Sequence, residues 1–74
     1  MDDAALNALL TQYLREMRAR LDQVASIARA AEACANAGNL SKAIEIALEV
    51  EQPIYEVTTF LNAASLMSRS KGSQ

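Results

Sequence analysis

Asn36-Ala37-Gly38-Asn39 is the stretch that decides how this chain folds. Glycine suits the left-handed backbone position that closes a helix, and Asn39 or Ser41 can cap the helix that follows. A turn at about residues 37–40 divides the 74 residues into two arms of similar length. Gly72 is the only other glycine and Pro53 the only proline, so little else interrupts a composition dominated by alanine and leucine.

Both arms carry apolar residues at helical spacing. In the first arm, Leu10, Leu14, Met17, Leu21, Val24, Ala28, Ala31 and Ala35 advance by alternating fours and threes. That spacing belongs to a helix laying a seam against another helix. In the second arm, Leu40, Ala43, Ala47, Val50, Ile54, Val57, Leu61 and Ala64 repeat it. Beside these seams run further apolar lines: Leu6, Leu9, Tyr13, Ile27 and Cys34 on one arm, Ile46, Phe60 and Met67 on the other. Ile44, Leu48 and Tyr55 widen the apolar surface still further.

The expectation is therefore an all-α antiparallel hairpin forming one helical domain over residues 1–74. Arm one covers about 3–37 and arm two about 40–68, and a polar tail frays over 69–74. Asp2 and Asp3 place negative charge where a helix start favours it. Pro53 either kinks the second arm or breaks it near Glu51. The apolar pattern keeps its phase across the proline, which favours a kinked, roughly collinear arm. In this register Arg29 approaches Glu49, and Arg20 approaches Glu56.

Two helices can hide one seam. The remaining lines stay in water unless something covers them, and a contiguous apolar stripe on a two-helix rod marks an interface. The residues expected at that interface are Leu6, Leu9, Tyr13, Ile27, Tyr55, Phe60 and Met67. The expected partner is a second copy of the chain, as a homodimer, or a helix of another protein, in either case completing a helical bundle. A third helix created at Pro53 would weaken that need by hiding part of the stripe internally. Small size points the same way. A chain this short buries little surface, Cys34 is its only cysteine, and it has no histidine with which to build a metal site.

No catalytic constellation is legible. Histidine, the commonest general base, is absent, and Cys34 reads as a small packed residue on an alanine-rich helix. Glu45, Glu49, Glu51 and Glu56 read as a solvated face, as do Arg15, Arg18, Arg20 and Arg29. No enzyme activity, metal or cofactor is therefore expected. A net charge of −2 gives no general attraction to nucleic acid or anionic lipid. No apolar run reaches membrane-spanning length, the N-terminal residues lack the basic charge of a signal peptide, and a free thiol fits the cytoplasm. These features together suggest an adaptor, assembly factor or chaperone-like module.

Two segments resemble known families. Gly38-Asn39-Leu40-Ser41-Lys42-Ala43, with Ala47, Val50 and Pro53, resembles the second helix of a tetratricopeptide repeat. That likeness implies helix-turn-helix packing, although no second repeat follows. Leu40 to Arg69 looks like the helix-turn-helix of winged-helix regulators, with Glu51-Gln52-Pro53 in its turn. It implies DNA reading by Tyr55, Glu56, Thr58, Thr59 and Asn62 as the alternative function. Against it, no wing-forming strands are apparent, and Glu49, Glu51 and Glu56 would face phosphate.

Overall fold

The computed structural model describes residues 2–72, and their side chains through Arg69. Its first helix, α1, spans Asp3–Asn36. The second arm comprises α2 (Leu40–Ala47), a 3-10 turn (Leu48–Val50) and α3 (Glu51–Gly72), which follow one another without a loop. The two arms lie side by side as an antiparallel hairpin, with no strand among the described residues.

Each helix end has a visible local cause. Asp2 caps α1, its Oδ1 accepting the Ala5 N–H at 2.7 Å. At the other end Gly38 adopts φ +83°. There the Asn39 N–H reaches the Cys34 carbonyl at 2.9 Å, and the Gly38 N–H reaches that of Ala35 at 3.0 Å. These two bonds form a Schellman closure around a left-handed glycine. Asn39 then starts α2, its Oδ1 accepting the Lys42 N–H at 3.1 Å. A single residue thus ends one closure and caps the next helix, which keeps the turn short.

Pro53 does not corner the chain. It sits at the third residue of α3, directly after the 3-10 turn, where the tightened backbone accommodates a residue without an amide proton. The helix upstream tightens into the 3-10 turn, while Ala47, Leu48 and Glu51 all stay right-handed helical. The second arm is a joined, kinked helix. The corner that the winged-helix resemblance implies is not formed. Thr58 and Thr59 turn their hydroxyls back onto the carbonyls of Ile54 and Tyr55. Within the expected polar tail, α3 runs on to Gly72; residues 73–74 lie outside the described residues.

The seam lies one step round from where the apolar spacing placed it. The half-buried seam line on α1 runs through Leu6, Leu10, Tyr13, Met17, Arg20, Val24, Ile27, Ala31 and Cys34. Facing them are Ala43, Ile46, Val50, Pro53, Val57, Phe60, Ala64 and Met67. Both sets keep alternating threes and fours. Leu14, Leu21, Ile54 and Leu61, expected in the seam, are exposed instead. The physical reason is size. Tyr13, Ile27, Ile46 and Phe60 cover more apolar area than Ala28, Ala35 and Ala47, so turning them inward removes more surface from water.

Candidate interaction surface

The seam has two unlike flanks. One is polar and aromatic. Arg20 is the only charged residue in the α1 line, and its guanidinium lies 5.0 Å from the centroid of the Phe60 ring. Phe60 in turn meets Tyr13, with centroids 5.9 Å apart and planes tilted by 44°. Arg20 Nε donates to Glu56 Oε1 at 3.0 Å, and its Nη1 donates to both the Glu16 carboxylate and the Glu16 carbonyl. Gln12 and Gln52 complete the array, each donating at 3.0 Å to the free oxygen of Glu16 and Glu56 respectively. Hydrogen bonding to Glu16, then to Glu56, holds Arg20 above its ordinary pKa against some burial. The Gln52 amide, then Arg20, holds Glu56 below its ordinary value of 4.5. The expected approach of Arg20 to Glu56 is present. That of Arg29 to Glu49 is not, since Arg29 donates to Ser26 and no such pair forms among the described residues.

The other flank is apolar. The register that brings Tyr13 to Phe60 and Arg20 to Glu56 sets Leu14 roughly level with Leu61, Leu21 with Ile54, and Ala28 with Ala47. Each of these residues stands four positions beyond an inward one: Leu10, Met17 and Val24 on α1, then Val57, Val50 and Ala43 on the second arm. Helical geometry therefore brings all six out along the same side, opposite the Arg20 array. Leu14 is 51% exposed, Leu21 50%, Ile54 46% and Leu61 51%. Near the turn, Leu40 continues this side one heptad before Ala47, while Ile44 and Leu48 stand exposed further round the second arm.

The seven interface residues expected from sequence are thus redistributed. Leu6, Leu9, Tyr13, Ile27, Phe60 and Met67 are half-buried, and five of them line the seam within one chain. Leu9 stands beside it on the polar flank. Tyr55, at 68% exposure, is the only one fully in solvent. Sequence reasoning missed Leu14, Leu21 and Ile54 as surface residues because they carry the same three-four period as the seam itself. Arg20 was the available signal: a line interrupted by arginine still packs inward when the head group has an aromatic face and carboxylates to rest against.

At the open end of the hairpin, a groove of about 500 Å³ runs between Leu6 and Leu10 on one arm and Ala64 and Met67 on the other. No group of three or more His, Cys, Asp or Glu side chains is gathered as metal ligands among the described residues, and Cys34 is a half-buried free thiol. No helix is long and apolar enough to cross a membrane among the described residues. Comparison of the chain with protein-family models, curated proteins and solved structures gives no match.

Proposed function

We propose that this protein is a helical interaction module, an adaptor, assembly factor or chaperone-like protein, whose work is to hold another helix along its apolar flank. The observation that supports this reading is the exposure of Leu14, Leu21, Ile54 and Leu61 in register on one side of the rod. Scattered exposed leucines are ordinary, whereas a contiguous row from two adjacent helices is the surface a third helix covers. Near-absence of a dry interior supports it too. Ala43, at 7% exposure, and Pro53 are the only buried residues among those described. A hairpin so thin gains from any helix laid over it.

A tagged chain incubated with extract of its native host tests the reading. It should retain a helical protein, or untagged copies of itself, that the Leu21→Glu, Ile54→Lys double variant does not retain. Recovery of the same proteins by both baits, with both variants still helical by circular dichroism, would remove the flank as the binding surface.

A further inference from the structure

We infer that the occupant of the apolar flank is a second copy of this chain, laid antiparallel about a two-fold axis at the level of Leu21 and Ile54. This rests on the preceding reading of the flank and names the partner. Three observations carry it. The first is area. A compact monomer of 8.0 kDa exposes about 4,450 Å² by the usual mass scaling. This chain exposes 5436 Å². The excess of about 1,000 Å² is the amount each partner contributes to an ordinary stable interface, roughly 800 Å².

The second observation is shape. Over these six positions the flank tapers from bulky residues, Leu14 and Leu61, to small ones, Ala28 and Ala47, before Leu40 restores bulk one heptad beyond Ala47. A two-fold axis crossing the rod at Leu21 and Ile54 sets Leu14 over the partner's Ala28, and Leu61 over the partner's Ala47. Large side chains then fall on small ones at both ends, as close packing requires. Leu21 and Ile54 meet their own counterparts at the centre. An axis running along the rod would instead stack leucine on leucine at one end and leave alanine facing alanine at the other.

The third is charge. Arg18 and Glu51 border the flank, one turn-step outside Leu14, Leu21 and Ile54. In the crossed-axis arrangement Arg18 comes level with the partner's Val24, beside Ala25, and Glu51 with the partner's Val57, beside Thr58, so no like charges are brought together. The Arg20 array remains outside, on the far flank. The product is a four-helix bundle whose turns lie at opposite ends.

Sedimentation equilibrium on the full chain at low micromolar concentration should give twice the 8.0 kDa chain mass. The variants Leu21→Glu and Leu21→Lys should each sediment as single chains, because each sets like charges face to face. Mixed in equal amounts, they should return to the two-chain mass, because Leu21 meets its own counterpart. Leu48→Glu, exposed on the face turned away from the seam and outside the flank, should leave the mass doubled. A single-chain mass for the unaltered protein overturns the proposal, as does a Glu/Lys mixture that stays single or a Leu48→Glu chain that alone falls apart. If the unaltered chain is single while the tagged bait still loses its helical partner on flank substitution, only the second copy is wrong. If flank substitution changes neither mass nor retention, the reading beneath it fails as well.

Discussion

Gly38 illustrates how much one residue decides. Its φ of +83° is the only positive value among the described residues, and an added Cβ would meet nothing within 4 Å. The cost of Gly38→Ala is therefore one of backbone conformation alone, about 1 kcal/mol, with no clash added. Urea unfolding should register that loss, and Gly38→Asn should lose less, because asparagine tolerates the left-handed region better. Glu56 sets a different dependence. Its carboxyl is held below the ordinary value of 4.5 in the folded chain, so its contribution is full above that pH and fades as pH falls through the lower, folded value. Acid titration of the unfolding midpoint should show this fall below pH 4.5, and Glu56→Gln should flatten that part of the curve. Both residues were readable in advance: the turn from Gly38 and Asn39 together, and the Arg20–Glu56 approach from the register that turn imposes. The two glutamine amides that finish the array went unread, although Gln12 and Gln52 each stand four residues before their carboxylate, the spacing at which side chains meet on a helix.

At the scale of elements, the sequence is clear about helices and ambiguous about their faces. Lines 10, 14, 17, 21 and 10, 13, 17, 20 obey the same period and share half their members. Only the sizes of Tyr13, Ile27 and Phe60, and the ability of Arg20 to lie across a ring, choose between them. Near the turn the seam is built of small residues, and Ala43 is enclosed there against α1. Ala43→Leu should force α2 outward and cost about 1–3 kcal/mol, measurable as a lowered midpoint of thermal unfolding. Pro53 makes the opposite prediction to a proline inside a helix. An interior proline would cost about 3 kcal/mol, and its removal would stabilise by that amount. Here the ring is buried in a first turn, so Pro53→Ala should destabilise by about 0.4–1 kcal/mol or more through lost contact and a freer unfolded chain. A rise in stability on that substitution would show that the 3-10 turn is a strained break and not a fitted joint.

Taken whole, the molecule is a rod. Its Cα radius of gyration is 17.1 Å, against about 11 Å for a compact domain of this length, and it measures 56 × 17 × 12 Å. A rod two helices thick has surface on every side of its seam, which is why no choice of inward face could have hidden all the apolar lines. That much followed from counting lines against helices before any coordinates. Which line would be left outside did not follow, because it is settled by packing between residues more than thirty positions apart. If a second copy covers the flank, thermal unfolding is bimolecular. The midpoint should then climb as protein concentration is raised, and Leu21→Glu should abolish that climb.

The groove between Leu6, Leu10, Ala64 and Met67 marks the end where no covalent link joins the arms. Separation should begin there, as in a pair of tweezers hinged at Gly38. Deuterium should consequently enter the amides around Leu10 and Ala64 well before those around Ile27 and Ile46, in a gradient along the rod. In an antiparallel pair each loose tip would lie beside the other chain's hinge, and the gradient would level out.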